Sequence, residues 1–339
     1  MRALQVPATT GPEAAVLAEV PDPDGAHPWA GGERLLVEVH SAAVAFPDVL
    51  QSRGAYQHAA PVPYVAGGEF AGIVLEAPAG SRFAVGDRVA GLTVFGSAAD
   101  QVTAIPGYTV RIPSTMSFNE GAAFFLNYLT AWFTLHRAGF TDGESVLVHG
   151  AAGGVGSAAL DLLKVRSDHL LAVVSSDSKA HVATRCGATE VLRSGDDWPG
   201  RARAATGGHG VDIVIDPVGG DRFTDSLRSL DVGGRLMVVG FAGGGIPEVK
   251  VNRLLLRDLS VMGVAVNPWL ERHPGFGERM LNELEAMAAS GTVSPLVGHV
   301  LPWDRAPEAM GIIDRREAHG KVVIEVRPEH TASPEGEHP

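Results

Sequence analysis

From residue 145 onward, short apolar runs alternate with stretches of helical periodicity. Residues 146–148, 170–174, 191–192, 213–215, 235–239 and 259–264 read as strands, and each of the first four is followed by a segment with apolar residues at helical spacing. That alternation predicts an α/β fold with a parallel sheet covered by helices on both faces. Residues 1–117 carry a different pattern. There, 35–39, 71–75, 88–90 and 101–104 are short strand candidates separated by Gly, Pro and Asp, so this part is expected to be β-rich. Residues 118–139 read as one helix, with Asn119 and Glu120 near its start and Gly139 as its stop. A helix over 279–290 and strands near 297–301 and 321–326 follow the parallel-sheet region. Residues 327–339 are polar and Pro-rich and are predicted to be disordered. No internal repeat is visible.

The first strand of the alternating region runs into a glycine cluster, VLVHGAAGGVG at 146–156. Its spacing is that of G-x-G-x-x-G with Ala151 in the first place, then Gly153 and Gly156. Glycine permits the tight turn and lets a pyrophosphate approach the main chain, and the open N–H groups of the following helix bind the anion. A preceding strand, a following helix and a second strand at 170–174 supply the context in which this motif binds a dinucleotide. Sites that prefer NAD usually end the second strand in Asp or Glu, which accepts the ribose hydroxyls. Here the strand ends Val174-Ser175-Ser176, with Lys179 and Arg193 downstream. A neutral hydroxyl with nearby cations suits a 2′-phosphate, so the cofactor expected is NADPH. Asp177 falls two residues beyond the acidic position and reads as a turn residue or the N-cap of the next helix.

Composition narrows the remaining choices. A chain of 339 residues with 45% apolar content has room for two domains. A net charge of −12 disfavours nucleic acid or an anionic membrane as main partner. The one cysteine, Cys186, excludes a disulfide framework and a Cys-based zinc cluster and reads as a helix-packing residue. With no leader pattern and no apolar run long enough to span a bilayer, a soluble cytoplasmic protein is expected.

Seven segments carry a resemblance: VAFPDVLQSRGAY (44–56), GGEFAG (67–72), NYLTAW (127–132), VLVHGAAGGVG (146–156), DPVGG (216–220), VVGFAGG (238–244) and GKVVI (320–324). Through them, residues 1–326 resemble the zinc-independent quinone oxidoreductase branch of the medium-chain dehydrogenase/reductase superfamily. The resemblance implies a GroES-like β-rich catalytic domain from residues 1–117 and 266–326. It implies a Rossmann domain, a doubly wound parallel sheet, from 118–265. Zinc-dependent relatives carry a zinc-binding Cys and a His where this chain has Ala45 and Gly68, and a four-Cys lobe that is absent here. Zinc needs three or four such ligands, so no metal is expected, and Glu69 is left with a structural or charge-pairing role.

The resemblance assigns the cofactor to Phe46, Asn127, Thr130, Ala151, Gly153, Gly154, Val155, Gly156, Ser175, Lys179, Arg193, Val218, Gly240, Phe241, Ala242, Val266, Asn267 and Lys321. Tyr56, which closes the first segment, is the best-placed phenol to donate a hydrogen bond to the charge that develops on an acceptor oxygen. The alternative for it is a wall of the cleft. Asn267 and Trp269 are candidates for the acceptor pocket, Trp269 equally for the core, and Asp48 for a turn-stabilising carboxylate. Relatives commonly carry Asn at the position of Ala45, so a polar anchor is missing. The activities left open are an NADPH-dependent quinone reductase, an enoyl or alkenal reductase acting on a conjugated C=C bond, and a non-catalytic NADPH-binding protein. A homodimer paired through the strand at 259–264 is implied as well.

Overall fold

The computed structural model describes residues 1–58 and 60–328. The tail expected to be disordered, 327–339, lies outside the described residues from 329 on. The chain divides into two compact units. Met1–Ala122, Val300–Arg316 and the chain from Val322 form the first, and Ala123–His299 with Glu317–Lys321 form the second.

In chain order the first stretch holds β1 (Arg2–Val6), β2 (Val16–Glu19), β3 (Leu35–Val44), α1 (Phe46–Ser52), β4 (Tyr64–Val65), β5 (Glu69–Glu76), β6 (Arg88–Leu92), β7 (Gln101–Ala104) and β8 (Thr109–Arg111). Then come α2 (Phe118–Ala138), β9 (Val146–His149), α3 (Gly154–Leu163), β10 (Leu170–Val174), α4 (Asp177–Arg185), β11 (Glu190–Arg193), α5 (Trp198–Ala205), β12 (Val211–Asp216), α6 (Phe223–Ser229), β13 (Leu230–Val238), α7 (Asn252–Leu255) and β14 (Ser260–Gly263). The chain closes with α8 (Val266–Arg272), α9 (Phe276–Ser290), β15 (Val297–Pro302), α10 (Ala309–Asp314) and β16 (Lys321–Glu325).

The first unit is built around β3. One side pairs antiparallel with β5, and the other is shared by β7 over Leu35–Glu38 and β16 over Ser41–Val44. A strand flanked on both sides and covered on both faces reads as a near-continuous apolar run rather than an alternation. This is why β3 extends five residues past the stop at 39 read from the sequence. The polar break at His40-Ser41 is accommodated because Ser41 donates to Asn119 Oδ1 at 2.7 Å. Asp48, buried at the start of α1, accepts the Ala45 N–H at 2.7 Å and so holds the β3–α1 turn.

The second unit holds the parallel sheet β11–β10–β9–β12–β13–β14, every neighbour parallel. In order of appearance this is third-second-first-fourth-fifth-sixth, the doubly wound arrangement. Leu147, Leu171, Val173, Val214, Leu230 and Leu236 from its strands form a core with Trp198, Phe223 and Leu227 from the helices. Residues 266–299, expected in the first unit, belong to this one. Trp269 of α8 and Phe276 of α9 meet Phe133 of α2 edge-on at centroid distances of 6.0 Å, and Phe276 also meets Trp132 at 5.7 Å. Asp161 on α3 accepts the Tyr128 hydroxyl at 2.6 Å and the Ser294 N–H at 2.8 Å, tying the strand approach to the same helices. The sequence placed the start of α9 at Arg279. It begins at Phe276 because left-handed Gly275 (φ 83°) turns the chain into it.

Candidate functional site

In a parallel sheet the loops after the strands all leave from one edge, and the crevice opens where the strand order reverses. Here β9 has β10 on one side and β12 on the other. The loop after β9 turns at Gly150 (φ 57°) and closes with the Gly153 N–H on the Gly150 carbonyl at 2.9 Å. The next hydrogen bond, Ser157 N–H to Gly153 O, begins the α3 ladder, so the N–H groups of Gly154, Val155 and Gly156 precede it at the helix start. A Cβ on Gly156 would stand 2.3 Å from the Gly150 carbonyl oxygen, so this position accepts only glycine. A Cβ on Gly154 would meet the Asn127 amide at 2.6 Å, so Asn127 lies against the first turn of α3. Its Nδ2 donates to Ala123 O, while Thr130, one turn on, donates to Leu126 O at 2.7 Å. Buried Ala151 completes the turn, and Gly320 donates to Ala152 O at 2.7 Å, which places Lys321 beside the same loop.

At the end of β10, Ser175 is exposed and its carbonyl accepts Arg193 Nη2 at 3.2 Å. Ser176 is the N-cap of α4, accepting the Lys179 N–H at 3.3 Å. Asp177 is therefore the first helical residue, correcting its reading as turn or cap. The last extended residue already offers a hydroxyl, and the carboxylate points out and pairs with Arg193 at 3.1 Å, 93% exposed. Ser175 and Arg193 thus meet directly, and Lys179 follows in the first turn of α4. The structure adds His319, absent from the sequence reading. Its Nε2 is 3.3 Å from Ser178 Oγ, and burial first, then the charges of Lys179 and His299, hold its pKa below the ordinary imidazole value. Only the return of 317–321 to the glycine loop shows its place, 140 residues along the chain from Lys179.

The loops after β12 and β13 interlock. Asp216 Oδ1 accepts the N–H groups of Val218 and Gly219 at 2.8 and 2.9 Å, and Val218 and Pro217 carbonyls accept Gly243 and Ala242 N–H. A Cβ on Gly219 would lie 2.9 Å from the Phe241 ring, so Val218, Gly240, Phe241 and Ala242 form one platform. Val266 and Asn267 open α8 just after β14. Trp269 stacks on His273 at 3.8 Å under the Arg137 guanidinium at 4.3 Å, within the aromatic packing on α2.

Phe46 and Tyr56 lie in the first unit, Phe46 as the first residue of α1. Burial, and secondarily the charge of Asp48, raise the Tyr56 pKa, which keeps its hydroxyl protonated. At Gly68 an added Cβ would lie 3.7 Å from Asp48 Oδ2. Among the described residues, no three His, Cys, Asp or Glu side chains are grouped to hold a metal ion, and no helix is long and apolar enough to cross a membrane.

Known proteins share this architecture. Residues 31–123 match the alcohol dehydrogenase GroES-like domain and 154–285 the zinc-binding dehydrogenase domain. The chain is 35% identical over 301 residues to quinone oxidoreductase-like protein 2 of Rattus norvegicus, covering 88% of this chain and 86% of that protein. A mycobacterial protein complexed with NADPH superimposes with a TM-score of 0.85 at 30% identity, covering 96% of this chain and 99% of that one. The Escherichia coli quinone oxidoreductase complexed with NADPH gives 0.84 at 27% identity over 96% and 100%. The chain therefore belongs to the medium-chain dehydrogenase/reductase superfamily, an oxidoreductase family, in its zinc-independent quinone oxidoreductase branch.

Proposed function

We propose that this protein is an NADPH-dependent, metal-free reductase that passes a hydride to a quinone. The observation that carries the cofactor is the edge of the parallel sheet. A backbone cradle that one Cβ at Gly156 would fill lies beside a second strand ending in serine rather than an acid, with Lys179 and Arg193 next to it. The N–H groups of Gly154, Val155 and Gly156 would hold the pyrophosphate. Lys179 and Arg193 would hold the 2′-phosphate, and Asn127, Thr130, Val218, Gly240, Phe241, Ala242, Val266, Asn267 and Lys321 the rest of the cofactor, with Phe46 as a wall. Bound there, NADPH supplies the hydride; the quinone takes up that hydride and one proton and leaves as hydroquinone. The Tyr56 hydroxyl donates a hydrogen bond to the acceptor oxygen as charge develops on it. Ala45 leaves the acceptor without a side-chain amide, so apolar contact carries more of its binding.

The same reading includes a cytoplasmic homodimer. Among the described residues, strand β14 ends the sheet with one side unpaired, and Val251, Leu255 and Leu256 just before it are more than 70% exposed. The experiment is a panel of quinones and enones assayed with NADPH and with NADH, before and after exhaustive chelation. Quinone-dependent NADPH oxidation that survives chelation supports the proposal. Turnover of enones alone moves the activity to C=C reduction, and zinc-dependent turnover ends the metal-free reading.

A further inference from the structure

Residues 317–321 belong to the second unit, and their main chain is clamped there. The Gly320 N–H donates to Ala152 O at 2.7 Å and the Lys321 N–H to Leu296 O at 2.9 Å, and Gly153 and Gly320 form a parallel bridge. Gly320 is left-handed (φ 57°), and a Cβ on Gly298 would overlap the His319 carbonyl. His319 therefore leaves a backbone with little freedom, which lowers the entropic cost of using its ring as a ligand.

The ring lies nearly parallel to that of His299 on β15, with 6.2 Å between centroids and 13° between planes. Its Nε2 is 3.3 Å from Ser178 Oγ, which is 3.0 Å from Ser176 Oγ, the cap that accepts the Lys179 N–H. The imidazole thus reaches the turn of α4 that carries Lys179, one residue after Ser175 and its bond from Arg193. Around it, α4 contributes Asp177 and Lys179, β11 Arg193 and β15 His299, while its own segment carries Glu317 and Lys321. Asp177 pairs with Arg193. Among the described residues, the hydrogen-bond partner of the His319 side chain is a serine hydroxyl and not an acid. An imidazole among cations, with no acid of its own, is the complement of an anion.

We propose that His319 is a third ligand of the cofactor's 2′-phosphate and joins it as imidazolium, so that NADPH is taken up together with a proton and NADH is not. The inference rests on the placing of NADPH at the end of β10 given above. Without cofactor, burial and the charges of Lys179 and His299 hold the ring below the ordinary imidazole pKa, so it is neutral near neutral pH. A phosphate dianion beside it opposes those charges and favours the charged ring. One proton leaves solvent for the ring, and both ring nitrogens are then donors, one of them to a phosphate oxygen.

The test titrates NADPH and NADH calorimetrically into wild type, His319→Gln and His319→Arg at about pH 7, in two buffers of different ionisation enthalpy, which counts the protons taken up. Ionisation of the phosphate itself is common to wild type and variants and cancels in their difference. Thermal melts and the NADH titrations verify that each variant is folded. Wild type is expected to take up about half a proton more with NADPH than with NADH. His319→Gln should lose that difference and bind NADPH about tenfold more weakly, with the Kd for NADH within about twofold. His319→Arg should restore NADPH affinity without the proton, because a guanidinium is charged beforehand. Equal proton uptake with both cofactors in wild type, or a His319→Gln variant that keeps the difference, overturns the inference; a selective loss in Lys179→Ala then leaves the cofactor site standing. Equal affinity of wild type for NADPH and NADH overturns both.

Discussion

Lys179→Ala tests the cofactor assignment most sharply. Lys179 sits in the first turn of α4, beside the exposed Ser175, and nothing acidic ends β10. Arg193 is held at the same end of β10, by the Ser175 carbonyl at 3.2 Å and by Asp177 at 3.1 Å, so Lys179 and Arg193 would share the 2′-phosphate and loss of either cation should weaken NADPH selectively. A hydrogen bond to a charged group contributes about 1.5–3 kcal/mol. At this solvent-accessible site the lower end applies, about a tenfold rise in Kd for NADPH. NADH lacks the phosphate, and its Kd should move less than about twofold. Asp177→Asn works in the opposite direction. It frees Arg193 from an exposed pair worth about 0.2–1 kcal/mol and removes a nearby anion, so NADPH should bind a few-fold tighter. Titration calorimetry at two salt concentrations measures both, and the Lys179 effect should shrink in high salt. Equal losses for NADPH and NADH, or an Asp177→Asn variant that binds NADPH more weakly, would refute the reasoning.

Gly156→Ala should abolish measurable NADPH binding and lower Tm, because its methyl meets the Gly150 carbonyl at 2.3 Å in a turn that has no other path. Tyr56→Phe should lower kcat on the order of tenfold with little change in KM, and an unchanged kcat would leave Tyr56 as a wall only. Tyr128→Phe removes the buried 2.6 Å hydrogen bond to Asp161 and should cost about 1–3 kcal/mol in denaturant unfolding. Burial, partly opposed by Asp216 and reinforced by Arg222, pushes the His149 pKa down to about 4. The unfolded state therefore binds a proton that the folded state refuses between about pH 6.5 and 4. Stability is complete above that window and falls as pH drops through it, by up to about 1.4 kcal/mol per pH unit, a slope that His149→Gln should reduce.

Much of the second unit was legible because its signals are local. β9, the glycine turn and α3 follow from consecutive residues, and the Gly139 stop of α2 appears with φ 63° where the sequence put it. What was missed depends on partners far along the chain. β2 is a largely exposed strand with no apolar alternation and exists because β1 pairs with it from Arg2 to Gln5. The assignment of 266–299 rests on rings that only meet once α8 and α9 lie against α2. Asp177 lost the cap to Ser176 because both are good caps and only the backbone decides where extension ends. His319 carries no motif, and its relation to Ser178 is purely spatial.

The central claim, that the sheet edge and its loops serve metal-free reduction of a quinone by NADPH, is tested most directly by a stopped assay on chelated protein. It follows NADPH consumed and hydroquinone formed with 1,4-naphthoquinone. One hydroquinone is expected per NADPH, formed far above the rate without protein, with NADH a much poorer donor. NADPH bound tightly but not consumed with any quinone, or consumed only after zinc is added, would contradict it.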